Sequence, residues 1–298
     1  MRRLAGVVAA VTLLLAAAAA RAQTDPLSEI TREKQHLAGA VAVVLVEEAA
    51  LFQGAQGPVE GSRIRRESLT FGPDGLLQGW VRYDPLGRPE SSIAYTYENG
   101  TLIRKETYGP TGSLIERILY ATDPATGRTT ATVESRTGTL MKTIVYERNA
   151  AENLLTVSEF DAAGALSSKL VYAYAPGEER VDTYDQDGKL TSWSIEKLDA
   201  SGRTVEATMY SQGSEQPFFT ITFSYDERGN VTLAETTGQG LFGFFFAPSG
   251  GTSKTSYEYT LDATGNWVKK VESSWVPKAD GPYWQPRLAT YRTFIYYQ

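Results

Sequence analysis

An apolar residue followed by Asp-x-x-Gly recurs along this chain, as in Tyr83-Asp84-Pro85-Leu86-Gly87, Phe160-Asp161-Ala162-Ala163-Gly164 and Tyr184-Asp185-Gln186-Asp187-Gly188. Leu198-Asp199-Ala200-Ser201-Gly202, Tyr225-Asp226-Glu227-Arg228-Gly229 and Leu261-Asp262-Ala263-Thr264-Gly265 repeat it. Phe71-Gly72-Pro73-Asp74-Gly75 and Tyr108-Gly109-Pro110-Thr111-Gly112 put Gly-Pro in place of Asp. An Asp at the first position of a type I turn accepts hydrogen bonds from the backbone ahead of it, and a Gly at the fourth takes φ > 0 without a Cβ clash. Followed by a G1 bulge, that turn closes a β-hairpin. The repeat therefore specifies a serial array of hairpins, and it specifies no chemistry.

From Gly75 to Gly138 the turn glycines come every 11 to 15 residues, room for one strand and one turn. Longer gaps near Asn149 and Gly213 are expected to hold degenerate turns. Between turns the apolar residues alternate: Phe219, Ile221, Phe223 and Tyr225 share one face, Thr220, Thr222 and Ser224 the other. Leu166, Leu170, Tyr172 and Tyr174 follow nearly the same scheme, while Leu140, Ile144 and Tyr146 share their face with Lys142. The β-branched run Val41, Val43, Val44, Val46 predicts a first, well-buried strand within 37–52. The expected fold class is all-β, a long antiparallel hairpin-repeat meander, coiled or rolled so that its Tyr/Leu face packs on itself. A transmembrane barrel needs about nine to eleven residues per strand with one apolar, lipid-facing side. Segments such as Leu102-Ile103-Arg104-Lys105-Glu106 are too short and too charged for that.

The chain starts outside this pattern. Arg2 and Arg3 precede an apolar stretch from Leu4 to Ala20, and Ala20-Arg21-Ala22 has the small-x-small form that signal peptidase reads. Residues 1–22 are read as a signal peptide, with a retained anchor as the competing reading, 23–36 as a leader, and 37–298 as one β-repeat domain. The product is then periplasmic or secreted, with no transmembrane span in the mature chain. Without Arg2, Arg3 and Arg21, 26 basic residues face 35 acidic ones, a net charge of −9 that opposes binding to a phosphate backbone. Cysteine is absent, so thiolate chemistry and disulfides are excluded.

The turn units resemble the RHS or YD-repeat proteins of bacteria, whose unit reads Tyr-Asp-x-x-Gly-Arg-Leu. Tyr83-Asp84-Pro85-Leu86-Gly87-Arg88 and Tyr184-Asp185-Gln186-Asp187-Gly188-Lys189-Leu190 carry the resemblance most closely. It implies a β-shell architecture and a cell-envelope context. The autoproteolytic core, the toxin tip and the length of the large family members are missing, so their activities do not carry over.

Candidate chemistry is sparse. The sole histidine, His36, precedes the repeats and has no recognisable partner. Asp185-Gln186-Asp187-Gly188 fails as a calcium loop, because Thr183 and Ser194 stand where Asp and Glu are required. No catalytic, cofactor-binding or metal-ligating residue is assigned. Two segments break the period. The aromatic insertion 238–252 holds Leu241, Phe242, Phe244, Phe245 and Phe246, read as a core plug or buried strand, or as a docking loop. Near the end stand Trp275, Tyr283 and Trp284, read as a cap on an open sheet edge or a platform for sugar rings. These eight residues are the candidate interface. The expected function is a non-enzymatic cell-envelope or secreted repeat protein with a binding or structural role toward an envelope protein or glycan. The alternative is a carbohydrate-active hydrolase using a carboxylate pair.

Overall fold

The computed structural model describes residues 31–151, 153–238 and 252–298. The segment read as a signal peptide, the first part of the leader, and Leu241, Phe242, Phe244, Phe245 and Phe246 lie outside the described residues. The described chain is built of strands: β1 (Val41–Gly54), β2 (Gly57–Glu60), β3 (Ile64–Phe71), β4 (Leu77–Tyr83), β5 (Pro89–Glu98), β6 (Thr101–Tyr108), β7 (Leu114–Thr122), β8 (Thr129–Ser135), β9 (Leu140–Arg148) and β10 (Leu154–Asp161). There follow β11 (Leu166–Ala175), β12 (Glu178–Asp185), β13 (Leu190–Leu198), β14 (Thr204–Ser211), β15 (Phe219–Tyr225), β16 (Val231–Gly238), β17 (Thr252–Leu261), β18 (Trp267–Val276) and β19 (Tyr283–Tyr296).

The repeated turns have the expected geometry. The Gly87 amide donates to the Asp84 carbonyl at 2.9 Å, and the Asp84 amide to the Arg88 carbonyl at 2.8 Å. Asp84 Oδ1 accepts from the amides of Leu86 and Arg88 at 2.8 and 2.9 Å. Asp185, Asp199 and Asp226 repeat both contacts. The degenerate turns use the same device: Asn149 Oδ1 accepts from Ala151 and Asn153, and Gly213 has φ +78°. Gly188 has φ +74° and open space where a Cβ would go. Gly188→Val is therefore expected to cost about 1–3 kcal/mol through backbone strain alone, read from urea melts. An unchanged midpoint would show that the turn tolerates another conformation.

Strand β1 closes the sheet. It pairs with β19 on one side (Val44↔Phe294, Glu48↔Thr290) and with β3 on the other (Val44↔Leu69, Val46↔Glu67). Eighteen strands thus form a closed antiparallel barrel, and β2 leaves it as a short hairpin arm with the end of β1. The rolled meander of the sequence reading is realised as closure of the ladder, which leaves only the β2 arm and the start of β19, residues 283–287, with a free edge. Trp275 and Trp284 oppose each other within the β18–β19 ladder, and Tyr283 and Trp284 lie on the stretch of β19 that β1 does not pair.

Directly paired residues share a face, so the register divides the wall into two surfaces. Following one surface from Val46 through Glu67, Trp80, Ile93 and onward around the barrel returns to Arg292 opposite Val46, with parity intact. On this surface Tyr95, Glu67, Lys270 and Arg292 are enclosed by protein, so it is the inner wall. Its apolar residues form contiguous patches, one around Tyr120, Ala131, Tyr146 and Tyr172, another around Phe219, Ile221 and Ala234.

The end of the leader belongs to the barrel. Residues 31–36 make a tight turn, with Gln35 and Leu37 donating back to Thr31 and Arg32. Arg32 donates from its amide to Gly75 and from Nη2 to Pro73 at 2.7 Å. Asn266, almost fully buried, clasps Ala38: its Oδ1 accepts from the Ala38 amide at 2.6 Å and its Nδ2 donates to the Ala38 carbonyl at 3.0 Å. The leader boundary at residue 36 therefore falls inside a docked segment. Leu37 packs with Val41, Phe71 and Leu77 at the same end.

Candidate functional site

The outer surface pairs its charges. Glu106 on β6 accepts from Arg117 on β7 at 2.9 Å and from Tyr108 at 3.1 Å, with Arg104 at 3.6 Å. These neighbours lie over Glu106 and leave it little exposed surface of its own, although it stands in the outermost layer. Its carboxyl is held below the usual range, first by the Arg117 hydrogen bond. Lys197–Glu206, Arg180–Asp182 and Lys254–Glu235 pair in the same way at 2.7–2.8 Å. Charges on these rows interrupt any apolar band of the roughly 25 Å that a lipid-facing barrel presents. Among the described residues no helix is long and apolar enough to cross a membrane.

The inner wall is different where β1 closes the barrel. Arg292 and Lys270 project from β19 and β18, Glu48 and Glu67 from β1 and β3, and Glu272 from β18, with Tyr257, Tyr259, Trp267 and Trp80 between them. The Arg292 guanidinium lies 3.7 Å from the centre of the Trp267 ring. Lys270 Nζ stands 5.5 Å from Tyr257 and 5.8 Å from Trp267. Arg292, Lys270, Glu67 and Glu272 make no hydrogen bond or ion pair that meets ordinary geometry among the described residues. Arg292 Nε is fully shielded from water without an acceptor. The shielded indole N–H of Trp80 faces the Glu67 carboxylate without reaching hydrogen-bond geometry. Glu48 is engaged by Arg66 at 2.9 Å.

Burial shows in the acid–base behaviour. Desolvation pulls Arg292 down to about 10 and lowers Lys270, which the Arg292 charge lowers further. Arg292 remains a cation at neutral pH. Desolvation raises Glu67, and the Glu48 charge adds to the shift, while Arg82 and Arg292 oppose it. A carboxyl raised in the folded state stabilises the fold fully below its ordinary pKa, and that contribution is lost as pH rises through the raised value. Glu67→Gln is therefore expected to melt at or above wild type at pH 7, with the difference shrinking toward pH 4. A lower melting temperature at pH 7 would show that Glu67 is held as a needed anion.

All these side chains are enclosed by protein yet keep part of their surface accessible, and Arg82 on the same wall is exposed. A wall that is surrounded but not covered lines internal space. The seam group was not singled out from sequence, because its members come from strands far apart in the chain and carry no shared motif. Of the sequence candidates, Trp275 and Trp284 meet edge to face at 4.9 Å, and Trp284 and Tyr283 are exposed at 39% and 42%. They stand at the end of β18 and the start of β19, the barrel end opposite the docked leader. Trp193 and Tyr210 add a second pair on the outer surface, stacked at 5.0 Å.

No family model and no curated protein matches the chain. Among solved structures it is similar to a porin-like protein from Bacteroides uniformis, with 14% identity over 86% of this chain and 98% of that one, at a TM-score of 0.41. It is similar to the TcdB2-TccC3-Cdc42 crystal structure at 14% identity and a TM-score of 0.26, covering 80% of this chain and 14% of that chain. A third is the isotype 1 transferrin binding protein B of serogroup B Neisseria meningitidis, at 9% identity and a TM-score of 0.17, covering 87% of this chain and 77% of that one. The YD-repeat resemblance accordingly rests on the turn units themselves.

Proposed function

We propose that this chain is an exported, non-enzymatic binding barrel of the bacterial envelope or its surroundings, which takes a small envelope-derived ligand against its inner wall. The observation that carries the reading is the inversion of charge pairing. Outer-surface ions such as Glu106, Asp182, Glu206 and Glu235, which water would satisfy, are paired, whereas the enclosed Arg292, Lys270, Glu67 and Glu272 at the seam are not, although Glu48 beside them is held by Arg66. Buried charges are ordinarily paired, since an uncompensated one costs several kcal/mol or more. A ligand that supplies the missing contacts accounts for that cost. The signal-like start of the sequence supports export, and the exposed Tyr283 and Trp284 provide an aromatic rim for contact with a glycan or protein.

Thermal melting of the mature chain against fractionated envelope glycans and lipids tests this. At least one fraction is expected to raise the melting temperature, by linkage to the folded state. Arg82→Trp, which fills the inner space at an exposed position, is expected to abolish the shift, and Trp284→Ala to preserve it. The reverse pattern would place binding on the rim and overturn the inner-wall reading.

One observation favours a second reading. Glu67 and Glu48 are inner-wall carboxyls in contrasting environments, the first raised by burial and the second paired to Arg66. A glycoside hydrolase uses such a pair. Sugar release that Glu67→Gln abolishes while binding persists would establish it.

A further inference from the structure

We propose that Arg292 and Lys270 form a binding site for the carboxylate of a ligand held inside the barrel, beside the Trp267 and Tyr257 rings. This rests on the binding reading above and names the chemistry the site selects.

Arg292 supplies the recognising group. A guanidinium offers five N–H donors in a rigid fork that matches a carboxylate through two parallel bonds. Here that fork is enclosed, makes no hydrogen bond among the described residues, and sits over the Trp267 ring with its central carbon 3.7 Å from the ring centre. The ring supplies no acceptor oxygen, so the N–H donors stay without one. Lys270 lies within electrostatic reach of Arg292, again with no acceptor of its own. Arg292 and Lys270 thus stand on adjacent strands as two cations with no acceptor, beside carboxylates that do not reach them.

The surroundings decide the charge of the ligand. Glu67 acts on Arg292, while Glu272 and Glu48 act on Lys270, near enough to be felt and not near enough to pair. A dianionic phosphate would meet these carboxylates as like charges. A monoanion gains both cations at smaller repulsion, and a planar one fits the fork. The carboxylate satisfies both conditions. An envelope supplies it as a fatty-acid head or as the acid group of a uronic sugar, and the inner wall offers apolar and aromatic surface to either.

Titration calorimetry on the mature chain distinguishes the sources. Decanoate is compared with decanol, and trigalacturonate with galactotriose. At least one acid is expected to bind tenfold or more tightly than its neutral partner. Arg292→Gln and Lys270→Gln are each expected to erase that preference while leaving the neutral partner's affinity unchanged. Arg117→Gln, on the outer surface, is expected to leave it intact. Melts of each variant confirm folding, and Arg292→Gln, which removes an uncompensated charge, is expected to be at least as stable as wild type. Preference for decanoate alone identifies a lipid source, and for trigalacturonate alone a glycan source; either supports the site. Equal binding of acids and neutral partners overturns the carboxylate site and leaves the binding reading standing. No binding by any of the four probes at millimolar concentration to folded protein overturns both.

Discussion

Asn266→Leu is expected to lower stability by about 2–4 kcal/mol, because a buried side chain loses its hydrogen bonds to the Ala38 backbone, Thr264 and Tyr296 at once. The Asn266 side chain accepts from the Ala38 amide and donates to the Ala38 carbonyl, to Thr264 Oγ1 at 3.2 Å and to Tyr296 Oη at 3.1 Å. Leucine has a similar size and none of these groups. Each lost hydrogen bond is worth roughly 0.5–1.5 kcal/mol net, and water takes over part of the loss at the exposed Ala38. The loss falls where the leader, the β17–β18 turn and the last strand meet. Faster amide exchange is therefore expected across residues 31–40 as well as a lower urea midpoint. A change below about 1 kcal/mol would show that the leader contributes nothing to the closed barrel.

Phe219→Ala is expected to cost about 3–5 kcal/mol, the usual range for removing a fully buried aromatic ring. Phe219 is 1% exposed and packs with Ala207, Ile221, Ala234, Met209 and Phe223 on the inner wall. Its β14 partner Met209 is flexible and closes part of any void, so the lower half of the range applies if the wall relaxes. Urea melts of Phe219→Ala and Phe219→Leu separate lost burial from lost shape. A cost near zero would mean that this face looks out into solvent, and the assignment of inner and outer walls would be reversed.

Local features of the fold were legible in the sequence and long-range ones were not. The turn at Asp185–Gly188 needs only its own five residues, so its hydrogen bonds follow from the motif. Alternation placed Phe219, Ile221 and Phe223 on one face, because a strand's side-chain period is set by the backbone. Closure was not legible: it depends on β1 meeting β19 about 250 positions away, and nothing in either strand names its partner. The seam group was hidden for the same reason. Arg292, Lys270 and Glu67 read singly as surface charges, and only the register shows that they face inward. The docked leader depends on Arg32, on Leu37 and on an asparagine in a turn whose sequence otherwise matches its neighbours, and none of these names its distant partner.

Closure creates the interior on which the functional reading depends, and a disulfide across the seam tests it most directly. Leu45 and Thr293 are paired across β1 and β19 with outward-facing side chains, and the chain has no cysteine of its own. Directly opposed residues of an antiparallel pair stand about 4.5–5.5 Å apart at Cα, within disulfide range. Leu45→Cys with Thr293→Cys is made beside a control, Leu119→Cys with Thr132→Cys, across the β7–β8 pair. On mild oxidation of the monomer, both pairs are expected to lose their free thiols to an intramolecular bond. If the control closes while the double variant at the β1–β19 seam keeps both thiols open to alkylation, the sheet is open and the barrel interior does not exist.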